Sequence, residues 1–172
     1  MRIQGLQKLT LLDYPGRTAC TIFLSGCNFR CPFCQNGNLV QHPEWEPVIP
    51  EEEIFAVLEK RCGVLDGVCV TGGEPTLDPD LERFVTKIKE LGYLVKLDTN
   101  GYRPEILKKL VEEKKIDYVA MDIKNAPSRY GETAGVKKID VMRINESVEF
   151  LKSGVVDYEF RTTLCKELHG RE

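Results

Sequence analysis

The sequence has no apolar run approaching membrane-spanning length, no basic stripe, no internal repeat, no low-complexity tract and no linker. Each absence removes a class of function. A helix needs about 20 predominantly apolar residues to cross a bilayer. The opening MRIQGLQKLTLLDYPG carries charges and a Pro-Gly turn where a secretory signal would need an uninterrupted apolar stretch. The expected setting is therefore soluble and cytoplasmic, with no membrane partner. A formal net charge of −3 with both signs interspersed lacks the concentrated positive field that phosphate backbones require, so nucleic acid is not an expected partner. The 172 residues, 42% hydrophobic and 30% charged, can bury one substantial core, and a single domain over residues 1–172 is expected.

Cysteine is the residue in excess. Seven is a high count for a reducing compartment, and an odd number cannot close entirely into internal disulfides. Metal ligation becomes the first chemical question.

Short β-branched runs alternate with longer amphipathic ones, the pattern of βα units feeding a parallel sheet. Strands are predicted from Thr18 to Ser25, Gly67 to Thr71, Tyr93 to Asp98, Tyr118 to Ile123 and Tyr158 to Thr163. Helices fit between them. The first opens at Pro50, continues through Glu51, Glu52 and Glu53 at the positive end of the dipole, stops by Gly63, and turns Ile54, Phe55, Leu58 and Cys62 inward. The second takes Asp78 as N-cap and Pro79 as first helical residue, with Leu81, Phe84, Val85 and Ile88 inward and Gly92 past its end. A third opens at Pro104, and a fourth runs from about Asp140 to Ser153. Gln41 to Pro50, with Trp45, and Asn125 to Lys138 read as extended loops. Such units form either an open doubly wound sheet or an arc of a (β/α) barrel; both collect ligands at the carboxyl ends of the strands. The unusual residues follow strands: the cysteine loop, Gly72-Gly73-Glu74-Pro75, Asn100-Gly101 and Lys124.

Cys27-Asn28-Phe29-Arg30-Cys31-Pro32-Phe33-Cys34 places three thiols close enough to converge on one centre. Iron-sulfur clusters and zinc both accept thiolates. Three cysteines on a four-iron cluster would leave one iron without a protein ligand. The competing reading is a Cys3His zinc site completed by His42, the core of a zinc-stabilised binding module, although zinc ligands more commonly come as two short pairs separated by a longer span. Cys20, Cys62, Cys69 and Cys165 read as small buried hydrophobes.

The CxxxCxxC spacing with Phe33 before the last cysteine resembles the signature of the radical S-adenosylmethionine superfamily, and Thr71-Gly72-Gly73-Glu74-Pro75 resembles its GGEP motif. Leu12-Asp13-Tyr14-Pro15-Gly16, followed by the segment from Phe23 to Cys34, is similar to the activating proteins of anaerobic ribonucleoside-triphosphate reductase, within the group that activates glycyl radical enzymes. The resemblance implies an α/β fold, a partial (β/α) barrel of parallel strands. Such proteins usually have a sixth strand, so the chain reads as truncated after the fifth.

It also implies a 4Fe-4S cluster on Cys27, Cys31 and Cys34, whose vacant iron chelates S-adenosylmethionine and reductively cleaves it to a 5′-deoxyadenosyl radical. Phe33 would lie near the adenine, Gly72 and Gly73 would allow close approach to the ligand, and Glu74 would accept from its ammonium group. Asp98, Thr99, Asn100, Asp122 and Lys124 would face the methionine carboxylate and ribose, with Asp98 and Asp122 as candidate ligands of a monovalent cation. Arg161 would point into the site. The plainer readings are a Gly-Gly turn and turn-forming Asp and Asn at strand ends. Gln35 stands where many relatives have histidine, although Asn36 is retained. The implied activity is that of an air-sensitive oxidoreductase needing no catalytic base. Its partners would be a glycyl radical enzyme, the anaerobic ribonucleotide reductase first among them, and an electron donor such as flavodoxin or ferredoxin. The competing enzymatic reading replaces the protein partner with a small-molecule substrate.

Overall fold

The computed structural model describes residues 1–170. At its centre is one six-stranded sheet in the order β1 (Ile3–Thr10), β2 (Ala19–Leu24), β3 (Gly67–Gly72), β4 (Leu94–Thr99), β5 (Tyr118–Asp122) and β6 (Asp157–Arg161). From β2 onward every strand is parallel to its neighbour and pairs with the next in sequence. An order that never reverses makes every crossover turn the same way. The sheet is therefore an arc of a (β/α) barrel; a doubly wound sheet would reverse at a switch point.

The five parallel strands lie where the β-branched runs predict them. The sheet also holds a strand that the sequence pattern did not predict: β1 pairs antiparallel with β2, from Ile3 opposite Leu24 to Thr10 opposite Ala19, with two register shifts between. Sequence periodicity missed it because only Ile3, Gln4 and Thr10 are buried along its length. An irregular edge strand does not alternate.

Among the described residues the helices are α1 (Gly37–Gln41), α2 (Glu51–Glu59), α3 (Leu81–Glu90), α4 (Pro104–Glu112), α5 (Tyr130–Ala134) and α6 (Val141–Lys152). Alternation along the strands sets the layers. Ile22, Leu24, Val68, Val70, Val95, Leu97, Val119 and Met121 face outward and are buried beneath Ile54, Leu58, Phe84, Ile88, Leu107, Leu110, Ile144 and Leu151 of the helices. Two local expectations need correction. Pro75–Leu77 forms a single 3-10 turn, so α3 starts later than predicted with Asp80 at its N-cap. Asp78 accepts instead from the Asp80 amide at 2.9 Å, a local turn that competes with capping. Cys62 lies beyond the end of α2 and is exposed, not on its apolar face. No helix among the described residues is long and apolar enough to cross a membrane.

Tyr93, 3% exposed, donates its hydroxyl to the Leu58 carbonyl at 2.7 Å, an oxygen in the last turn of α2 that also accepts from the Arg61 amide at 2.9 Å. Tyr93→Phe is expected to cost about 1–2 kcal/mol, read as a lower urea midpoint at unchanged m-value.

Candidate active site

The inward face of the sheet is polar where the outward face is apolar. Thr21 and Phe23, Cys69 and Thr71, Lys96 and Asp98, Asp122, and Arg161 occupy the alternate positions of successive strands, and register sets Thr21 beside Cys69, Cys69 beside Lys96, and Asp122 beside Arg161. Over the carboxyl ends of these strands opens a cavity of about 600 Å³. Cys27, Cys31, Phe33 and Cys34 form one wall, Gly72 and Gly73 another, and Asp98, Thr99, Asn100, Asp122, Lys124 and Arg161 the rest. The structure thus gathers every sequence-predicted site residue except Glu74 around one space. Gln7, Asp13, Thr21, Phe23, Phe29, Gln35 and Asn36 also line it.

The cysteine loop is held by backbone on both sides. The Gly73 amide donates to the Leu24 carbonyl and the Glu74 amide to the Gly26 carbonyl, both at 2.8 Å. Asn36 Nδ2 donates to the Gly72 carbonyl at 2.8 Å, tying the entry of α1 to the same turn. Beneath the loop, the Arg30 amide donates to the Ala134 carbonyl at 2.8 Å, and the Phe29 ring packs edge-on against Tyr102 and Tyr130. The segment from Asn125 to Lys138 is therefore not an extended loop: it carries a 3-10 turn and α5, and it buries Tyr130. Gly135, at positive φ just past α5, is the signal that could have identified this helix end.

All seven cysteines are free. Burial pushes the Cys27 thiol up to about 11 and the Cys31 thiol upward as well, while the Phe29 amide donates to Cys27 Sγ at 3.3 Å and pulls the other way. Among the described residues no group of three or more His, Cys, Asp or Glu side chains closes around a single-ion site. Three thiols lining one cavity are a soft donor set that an iron-sulfur cluster would accept. The zinc alternative loses its fourth ligand. His42 stacks on Trp45 with ring centroids 3.8 Å apart, near Glu44, and is not on the cavity wall. Cys20 and Cys69 are fully buried, as expected of small hydrophobes, although Cys69 Sγ lies 3.8 Å from the Lys96 ammonium. Cys165 is half-buried.

Glu74, expected as an acceptor for a ligand's ammonium group, has its carboxylate engaged by the protein's own donors. It is 2% exposed and away from the cavity wall. Its carboxylate accepts from the Thr76 amide at 3.1 Å, the Thr76 hydroxyl at 2.5 Å, the Thr99 hydroxyl at 2.8 Å and the Asn100 amide at 2.6 Å. Burial drives the Glu74 carboxyl above its ordinary value against these four donors. Glu74 thereby cross-links the ends of β3 and β4, and an acidic residue after Gly-Gly gave no hint that it turns inward.

The charged residues form a chain. Lys96 pairs with Asp98, Asp98 with Arg161 at 3.2 Å, Arg161 with Asp122 at 3.3 Å, and Asp122 with Lys124 at 2.9 Å. Burial pulls the Lys124 ammonium down, but Asp122 and the neighbouring thiols more than offset it, leaving it above the usual lysine value. Lys96, fully buried, was missed by sequence reasoning; a lysine alternating with Val95 and Leu97 in a strand was its signal.

A family model described as the Radical SAM superfamily matches residues 21–163. A protein of Methanocaldococcus jannaschii, named provisionally a glycyl-radical enzyme activating enzyme, is 34% identical over 99% of this chain and 71% of its own length. A 7-carboxy-7-deazaguanine synthase of Koribacter versatilis is 28% identical over 93% of this chain and 67% of its own. Among solved structures, TYW1 with a lysine-pyruvate adduct bound superposes with a TM-score of 0.61 at 20% identity, over 87% of this chain and 56% of that one. The structure of anSMEcpe with bound AdoMet and a peptide gives 0.57 at 20% identity, over 80% and 40%. The chain therefore spans about half or less of those two structures, and the likeness to them is one of fold. A one-way parallel arc, a cysteine loop at its carboxyl rim and a family match across nearly all the strands agree: the chain belongs to the radical SAM superfamily.

Proposed function

We propose that Cys27, Cys31 and Cys34 hold a 4Fe-4S cluster, that the cavity beside them binds S-adenosylmethionine, and that the enzyme installs a glycyl radical on a partner protein, the anaerobic ribonucleoside-triphosphate reductase first among candidates. The observation that carries this reading is the shared cavity: three free thiols, the Gly72-Gly73 turn and the polar ends of the strands all line one space. When bound, the cluster and S-adenosylmethionine supply one-electron reductive cleavage to methionine and a 5′-deoxyadenosyl radical, which takes a hydrogen atom from glycine; the electron comes from a small donor such as flavodoxin or ferredoxin.

The chain's own side chains bind, orient and shield. Phe33 and Phe29 present apolar surface to the cavity, keeping water from the reacting centre. Gly72 and Gly73 line the cavity and present no side chain to the ligand's amino-acid end, while the Glu74 carboxylate is buried away from it. Asp122, on the cavity wall at the end of β5, is a candidate acceptor for ribose hydroxyls. No side chain is required to move a proton.

The relative from Methanocaldococcus jannaschii, aligned with almost the whole chain, supports a protein partner. The deazaguanine synthase relative supports the second reading, a small-molecule substrate. Electron paramagnetic resonance separates them. Anaerobic mixing of the reconstituted enzyme, reductant, S-adenosylmethionine and the reductase is expected to give a glycyl doublet together with 5′-deoxyadenosine. Deoxyadenosine formed with a small substrate, and no doublet with any glycyl radical enzyme, would establish the second reading.

A further inference from the structure

Asp98 and Asp122 sit at the ends of adjacent strands, where two carboxylates beside a bound methionine carboxylate would repel it unless a cation intervened. An alkali cation bridging them needs their oxygens as ligands, and each of the four already faces a side-chain cation. Asp98 Oδ1 pairs with Lys96 Nζ and Oδ2 with Arg161 Nη2 at 3.2 Å; Asp122 Oδ1 pairs with Arg161 Nε at 3.3 Å and Oδ2 with Lys124 Nζ at 2.9 Å. The Arg161 guanidinium spans the two carboxylates, where a bridging ion would lie. The residues present do not fit a monovalent cation.

We infer that Arg161, backed by Lys96 and Lys124, is a built-in counter-ion for Asp98 and Asp122, so that S-adenosylmethionine binds here without an alkali cation. This rests on the proposed cofactor site. Lys96 is what makes the arrangement resistant to exchange. It is fully buried, and Asp98 is its one anionic partner among the described residues. Moving Asp98 onto an incoming ion would leave an ammonium buried without compensation. Arg161 suits the bridging position because its guanidinium is planar, permanently charged and weakly hydrated, and so loses less on leaving water than a compact cation does. Burial disfavours its charged form, yet Asp98 and Asp122 hold the guanidinium above its ordinary value. Among the described residues its third nitrogen has Glu159, at 4.0 Å, as its anionic neighbour, and it remains able to donate to a carboxylate entering the cavity. In this arrangement Arg161 and Lys96 are positioning residues.

The test measures S-adenosylmethionine affinity by equilibrium dialysis on anaerobically reconstituted protein in sodium, potassium and choline chloride at equal ionic strength. The wild-type dissociation constant is expected to agree within about twofold across the three salts, the three cations being equivalent as mere screening ions. Arg161→Gln, at a half-exposed position, is expected to weaken binding about tenfold or more in choline and to regain affinity saturably with sodium or potassium as an ion enters between the aspartates. Lys96→Met should show the same rescue, which a purely structural role would not produce. A wild-type affinity that rises saturably with one alkali ion overturns the inference, and that measurement stands even if neither variant folds. Absence of cation rescue in a folded Arg161→Gln also overturns it. If protein with its cluster confirmed by electron paramagnetic resonance binds S-adenosylmethionine in no salt, the cofactor-site reading itself fails.

Discussion

Replacing any one of Cys27, Cys31 and Cys34 with alanine is expected to abolish S-adenosylmethionine cleavage, a loss of about a thousandfold or more, because on the proposed reading the cluster they would hold supplies the electron for cleavage. Iron bound after anaerobic reconstitution should fall with it. The apoprotein should stay folded: the three thiols are on a cavity wall, and their loop is positioned by main-chain hydrogen bonds at Gly26 and Arg30 that alanine leaves intact. Cys62→Ser is the matched control. Cys62 is exposed and distant in sequence from the loop, and the variant should keep both iron and cleavage. Deoxyadenosine by chromatography and iron by colorimetry decide the outcome. Full cleavage by a folded Cys31→Ala protein would remove these thiols from the mechanism.

Much of this architecture is legible in the sequence because strong local patterns agree with the tertiary ones. β2 to β5 are short and largely buried, with Val or Ile in each, and α3 and α4 carry apolar stripes at helical spacing. The cysteine loop and Gly72-Gly73 stand out chemically, and both flank the cavity. What remained hidden depends on contacts across the chain. β1 is an edge strand that buries little and so lacks a clean period. The stretch holding α5 is short and polar and gains its order by supporting the Arg30 backbone, a partner about a hundred residues away in sequence. Glu74 looks like an exposed acid until Thr76, Thr99 and Asn100 are seen to converge on it. Lys96 was readable in principle, since strand alternation places it on the same face as Asp98; weighing Val95-Lys96-Leu97-Asp98 at period two would have found the inward polar row.

Gly73→Ala is the substitution expected to damage the frame most. A Cβ at residue 73 would lie 1.8 Å from the Gly26 carbonyl oxygen, and one at residue 72 would lie 2.2 Å from the Leu24 carbonyl oxygen, with Gly72 also at φ +116°. Both obstacles are backbone, at the exit of β2, so no side chain can swing aside. Relief requires pulling β3 and the cysteine loop apart, which breaks the bonds from Gly73 to Leu24 and from Glu74 to Gly26. Two stretched buried hydrogen bonds and the accompanying strain amount to about 3 kcal/mol or more, a fall of roughly 6–12 °C in Tm for a domain of this size. The measurement belongs on apoprotein, since a bound cluster would add its own binding energy to the folded state. Gly37→Ala serves as reference, because a Cβ there meets nothing closer than 4.0 Å. The cysteine variants should lose iron while the apoprotein melts normally, whereas Gly73→Ala should lose both, because it displaces Gly26 and with it the thiol of Cys27. A Gly73→Ala apoprotein melting with wild type would mean that the close approach of β3 to the cysteine loop is not what positions the first ligand.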